Sequence, residues 1–224
     1  MCIRDRDECL AQAPKLLVLV NPNNPTGTLL SRAEIETLLG HQTRKDGYLI
    51  VDEAFIDVTP EASVSDLVSD GARLIVLRSF GKFFGLAGLR LGLCLAPREI
   101  NDRLQNLLGP WPIATPTLAC AAVAYRDREW IAATRTRLQN EARRLRRLLN
   151  ENGLEAIGGT DLFQTCRHAK RDDIVEGLGR AGIFVRSFPQ EAGWMRLGLP
   201  ADETAWQRLQ TALAELNLKG DRHG

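Results

Sequence analysis

One lysine, Lys82, stands inside the segment Ser79-Phe80-Gly81-Lys82-Phe83-Phe84-Gly85-Leu86-Ala87-Gly88-Leu89-Arg90, directly after the apolar run Leu74-Ile75-Val76-Leu77. Such a run reads as a buried parallel strand, which sets the lysine at the strand's mouth. An amine there, with small residues close by and an arginine eight positions on, suits Schiff-base chemistry. The amine condenses with a carbonyl cofactor, while a neighbouring hydroxyl and guanidinium hold the cofactor's phosphate. The chain has five lysines against 24 arginines, so a lysine used as filler at this point is the weaker reading. Taken alone, the segment also fits a surface lysine that follows a strand.

Two further motifs sharpen the reading. Asn21-Pro22-Asn23-Asn24-Pro25-Thr26-Gly27 follows the apolar strand Leu16-Leu17-Val18-Leu19-Val20, and Val51-Asp52-Glu53-Ala54-Phe55 ends the strand Tyr48-Leu49-Ile50. Open parallel sheets bind ligands beyond the carboxyl ends of their strands, and all three motifs fall at such ends. In this order and spacing the chain, from about Lys15 onward, resembles the fold-type I pyridoxal-phosphate (PLP) enzymes of the aminotransferase class I/II group. The resemblance implies an α/β fold: a large cofactor domain with a mainly parallel sheet, here partial, and a small C-terminal α+β domain.

The resemblance also assigns roles. Lys82 carries the cofactor as a Schiff base and, once released, shuttles the proton at the substrate Cα. Asp52 lies against the pyridine nitrogen and favours the protonated ring. Asn24 donates to the cofactor's phenolic oxygen, and as an Asn-Pro pair it also marks a turn. Ser79 and Arg90 hold the phosphate, Arg90 through a charge-assisted fork. Phe55 stands where many relatives carry tyrosine; it can pack on the cofactor but supplies no hydroxyl. Arg196, in Trp194-Met195-Arg196-Leu197-Gly198-Leu199, is expected to grip the substrate carboxylate. Arg186, in Gly182-Ile183-Phe184-Val185-Arg186, either faces the substrate, as in phosphate-reading relatives, or is a strand-edge cation.

Composition excludes other classes. The net charge of +1 exerts no global pull toward nucleic acid or a membrane surface. No apolar stretch nears the roughly 20 residues of a membrane span. The five cysteines, Cys2, Cys9, Cys94, Cys120 and Cys166, are scattered and odd in number, which fits free thiols in a reducing cytoplasm. The three histidines form no ligand pattern, and no metal is expected. The arginines of 135–147 alternate with leucines and lie near Glu141 and Glu151, which reads as a solvated helix face.

Alternating strand and helix over 15–115 reads as the cofactor domain, with a Ser31-Arg32-Ala33-Glu34 capping box opening a helix to about Leu39. A long connecting helix is expected over 116–153, with Ile131, Leu138, Leu145 and Leu149 on one face. A small α+β domain follows over 154–224, with strands near 161–167, 183–187 and 194–199. Residues 1–14 are unassigned. Their polar start is unlike this family, whose members carry a long segment before the Asn-Pro loop, so an N-terminally truncated chain with a foreign first six residues is expected. The tail at 219–224 is expected to fray.

Motifs do not choose among PLP reactions, because Arg196 could serve several. The segments around Lys82, Leu108-Gly109-Pro110-Trp111-Pro112 and Arg196-Leu197-Gly198-Leu199-Pro200 look like the L-threonine-O-3-phosphate decarboxylase group of cobalamin synthesis. The sister histidinol-phosphate aminotransferases of histidine synthesis more often show Ser-Lys where this chain has Gly81-Lys82; they, or another class I/II aminotransferase, are the alternative. A PLP-sensing regulator domain is a more remote one. Either enzyme implies a small phosphorylated amino-acid substrate, a cytoplasmic location and, by resemblance, a homodimer.

Overall fold

The computed structural model of the chain describes residue 12, residues 14–216 and residue 218. The expected foreign start, Cys2, Cys9 and the expected frayed tail lie outside the described residues. The chain divides into two compact units, Met1–Asn23 with Leu29–Arg128, and Asn24–Thr28 with Glu129–Gly224.

The first unit is built on a four-stranded sheet in the order β1 (Leu16–Val20), β2 (Tyr48–Asp52), β3 (Leu74–Ser79) and β4 (Gly92–Leu95). The first three strands run parallel, while β4 is antiparallel to β3. Alternation sends Leu17, Leu19, Leu49, Val51, Leu74 and Val76 to one face, where they pack as one buried cluster with Ile35, Leu38 and Val64. Ile35 and Leu38 come from α1 (Arg32–Arg44), three residues apart on one side of the helix. The capping box is formed in full: Glu34 N donates to Ser31 Oγ at 3.3 Å, and Ser31 N donates to Glu34 Oε2 at 2.8 Å. The helix runs on past Leu39 to Arg44 and stops before Asp46, whose φ is +51°.

Beyond β3 come a one-turn helix, α2 (Phe80–Phe83), a 3-10 turn over Ala87–Leu89, then β4, α3 (Arg98–Leu108) and α4 (Thr115–Ala124). Strand β4 begins only at Gly92, because Arg90 takes a left-handed backbone (φ +53°, ψ +39°) that no extended run can include. The helical stretch after Pro116 is two helices, α4 and α5 (Arg128–Glu151). Asp127, a residue type that favours the position ahead of a helix, precedes the second.

The second unit carries an antiparallel sheet in the order β5 (Glu155–Thr160), β6 (Phe163–Arg167), β8 (Trp194–Gly198) and β7 (Arg186–Ser187). Leu145 and Leu149 of α5, Ile174 and Leu178 of α6 (Arg171–Arg180), Met195 of β8 and Leu213 of α7 (Glu203–Glu215) share its core. Strand β5 has no counterpart in the sequence reading, since Gly158 and Gly159 hide it from any propensity argument. Only Arg186 and Ser187 of the expected 183–187 strand are paired.

Candidate active site

In the first unit, the parallel pairing sets Asp52, the last residue of β2, beside Leu77 of β3. Alternation then places Asp52, Leu77 and Ser79 on one face of the sheet, and Val51, Val76 and Arg78 on the core-packed face. Asp52 is half-buried, and its Oδ1 accepts from Ala54 N at 2.9 Å, which orients the carboxylate at the strand end. Phe55 follows in the same loop and is almost fully buried.

Ser79 ends β3, and Lys82 lies in α2 immediately after it, exposed, with its Nζ 5.8 Å from the centre of the Phe55 ring. Ser79, Gly81, Lys82 and Arg90, with Ala87, Leu91 and Gly92, line one cavity of about 210 Å³. An amine, a hydroxyl and a guanidinium therefore border a single open space. That donor set fits a ligand with one carbonyl and one phosphate. Arg90 lines the cavity from a left-handed backbone, uncommon for a side-chain-bearing residue, at the C-terminal end of the 3-10 turn Ala87–Leu89. Gly81 permits the 79–90 segment to fold back on itself: a Cβ there would lie 2.8 Å from Ala87 Cα.

Beneath Lys82 the segment rests on an aromatic stack. The rings of Phe80 and Phe84 lie 4.7 Å apart, and Tyr125 meets Phe84 edge-on at 4.9 Å. Burial, and then the charge of Asp57, push the Tyr125 phenol above its usual range. Sequence reasoning passed over Glu53, Asp57, Arg78 and Tyr125. Glu53 is fully buried and Asp57 nearly so. The signal that could have found Glu53 is its place directly after Asp52 at a strand end, where continued alternation turns the two carboxylates to opposite faces.

In the second unit, Arg186 and Arg196 are direct cross-strand partners on β7 and β8. Arg196 is half-buried and Arg186 exposed. Burial, and then the charge of Arg186, lower the proton affinity of the Arg196 guanidinium. Its Nη1 donates to Asn24 Oδ1, and its guanidinium carbon lies 5.0 Å from the centre of the Phe163 ring. Asn24 is presented by a loop that packs closely on the sheet: Gly159 N donates to Thr26 O at 3.0 Å, and Thr165 Oγ1 donates to Pro25 O. The approach is possible only between glycines. A Cβ on Gly158 would lie 2.0 Å from Thr26 O, and one on Gly27 would lie 1.9 Å from Gly159 O.

Among the described residues, no group of three or more His, Cys, Asp or Glu side chains could hold a metal ion, and no helix is long and apolar enough to cross a membrane. Cys94 and Cys120 are exposed free thiols, and Cys166 is a buried one.

The family model for aminotransferase class I and II matches residues 3–213. The chain is 46% identical over 198 residues to threonine-phosphate decarboxylase from Pseudomonas aeruginosa, an alignment covering 88% of this chain and 59% of that protein. It is 33% identical over 182 residues to histidinol-phosphate aminotransferase 2 from Archaeoglobus fulgidus, covering 81% of this chain and 52% of that one. In three dimensions it is similar to histidinol-phosphate aminotransferase from Sinorhizobium meliloti in complex with pyridoxal-5'-phosphate, with a TM-score of 0.81 over 94% of this chain and 59% of that chain, at 23% identity. The chain thus spans little more than half the length of the curated relatives it matches.

Proposed function

Because the chain belongs to the aminotransferase class I and II family, we propose that it acts as a PLP-dependent lyase, removing carbon dioxide from L-threonine O-3-phosphate to leave (R)-1-aminopropan-2-yl phosphate for cobalamin synthesis. The observation that carries this reading is the 46% identity to the decarboxylase from Pseudomonas aeruginosa, against 33% to the aminotransferase from Archaeoglobus fulgidus. The Gly81-Lys82 pair supports the same choice.

The residues of the first unit fit the cofactor. Lys82 would hold its aldehyde carbon, Ser79 and Arg90 its phosphate, and Asp52 the proton on its ring nitrogen. When bound, PLP supplies an electron sink for the pair left behind as a bond to the substrate Cα breaks. Once displaced by the substrate amine, Lys82 Nζ would deliver a proton to Cα after carbon dioxide has left. Phe55 would pack against the cofactor without donating a hydrogen bond. Asn24, whose Oδ1 accepts from Arg196, would donate to the phenolic oxygen through its amide Nδ2.

Arg196 would bind the substrate carboxylate and orient the bond that is to break, while Arg186 beside it would attract the phosphate. Two guanidiniums directly across a strand pair repel one another, and a substrate with two anionic groups relieves that repulsion. We take the enzyme to be a cytoplasmic homodimer. The free thiols support the first part, and the exposed Leu107, Leu108 and Trp111 support the second.

The second reading, histidinol-phosphate aminotransferase, is supported by the 33% identity to that enzyme. One assay separates the two. Purified protein with PLP and threonine phosphate should release carbon dioxide with no oxo-acid present, and Lys82→Ala should lose both this activity and the visible absorption of the bound cofactor. Turnover that requires 2-oxoglutarate and histidinol phosphate would replace the decarboxylase with the transaminase.

A further inference from the structure

The strand ends that bear Asp52 and Ser79 have a second side. Alternation puts Glu53, the residue after Asp52, and Arg78, the residue before Ser79, on the core-packed face. Both are charged, and both grip the segment that joins β2 to β3. Glu53 is fully buried; its Oε1 accepts from Val64 N at 2.7 Å and its Oε2 accepts from Ser63 Oγ at 2.7 Å. Arg78 Nη2 donates to Asp57 Oδ1 at 2.6 Å, with side chains only 20% and 8% exposed. The backbone N–H of Glu53 also donates to Leu77 O at 2.7 Å, which ties the end of β2 to β3 just beside Asp52.

Buried charges are a costly way to hold a loop, because desolvation opposes them and apolar packing would serve as well for stability. What apolar packing lacks is direction. Hydrogen-bonded charges fix angles as well as distances, and here they sit one residue from Asp52 and from Ser79. We propose that Glu53 and the Asp57–Arg78 pair are positioning residues: from behind the sheet they set the spacing and orientation of the Asp52 and Ser79 strand ends, and through Ser79 that of Lys82. This rests on the PLP reading of the site. Misplacement by 1 Å can cost roughly 100-fold in rate, so strand ends free to splay would be a poor platform for an acid and an amine that must meet one ring.

The test is a pH titration of the visible absorption of the PLP-loaded protein, with cofactor affinity measured alongside. Glu53→Ala is expected to retain the band but to move its pH midpoint by about one unit. Glu53→Gln, which keeps an oxygen to accept from Val64 N, is expected to restore the midpoint. The double variant Asp57→Leu/Arg78→Met removes both charges together and leaves neither buried alone; it should fold and shift the midpoint as well. If Glu53→Ala does not fold, Ser63→Ala, which deletes only the hydroxyl bound to Glu53, takes its place. A wild-type band whose midpoint is unchanged in these variants, whatever their melting temperatures, overturns the proposal and leaves the site reading standing. A wild-type protein with no such band overturns both.

Discussion

At the scale of single residues, the chain is shaped by glycines that let backbones touch. Gly27, in the loop with φ +71°, and Gly158, in β5, lie so close to the facing backbone that neither has room for a methyl group. Backbone atoms cannot swing aside as side chains do, so overpacking here should cost at least about 1–3 kcal/mol. Gly158→Ala and Gly27→Ala are both expected to lower the denaturation midpoint, Gly27→Ala further because its backbone is also strained. A midpoint unchanged in both would mean that the loop is not held against β5. The loop matters because it presents Asn24, whose side-chain oxygen Arg196 takes. These two residues are far apart in the chain, and each is exposed or half-buried. Their types and motifs were legible; their hydrogen bond was not, since no local pattern encodes which strand a loop will settle upon.

At the scale of elements, the small sheet has a titratable residue at its centre. Cys166 on β6 is fully buried, and burial pushes its thiol from an ordinary value of 9.0 up to about 12. The unfolded chain therefore gives up this proton at lower pH than the folded one. The sign follows from linkage: the stabilising contribution is intact below pH 9 and is lost as pH rises from about 9 to about 12. Cys166→Ala should flatten this alkaline limb relative to wild type, measured by chemical denaturation across that range. Parallel limbs would show that the thiol is not buried. The elements themselves were readable to different degrees. Strands β1 to β3 are apolar runs with turn signals beside them, and α1 carries its capping box. Strand β5 contains two glycines, and β7 has only two paired residues, so neither offers a period to detect.

At the scale of the whole molecule, a ligand that binds only the folded state raises stability by mass action. PLP at about 100 times its dissociation constant should add about 2.7 kcal/mol, read as a rise in melting temperature that shrinks in Lys82→Ala. No rise in wild type would count against the cofactor reading itself. The sequence by itself determined the family, the parallel strands of the first unit, and the order of amine, carboxylate and guanidinium along the chain. Local chemistry suffices for these, because strand periodicity, capping and motif spacing are all short-range. Only the tertiary structure decided what lies behind the motif. Glu53 reads as the second letter of an Asp-Glu-Ala run, yet folding turns it away from Asp52 and onto Ser63 and Val64, ten and eleven residues on. Arg78 and Asp57, 21 residues apart, meet only once β3 lies beside β2. Such contacts depend on which strands pair and in what register, and that is a property of the assembled sheet rather than of any one segment of it.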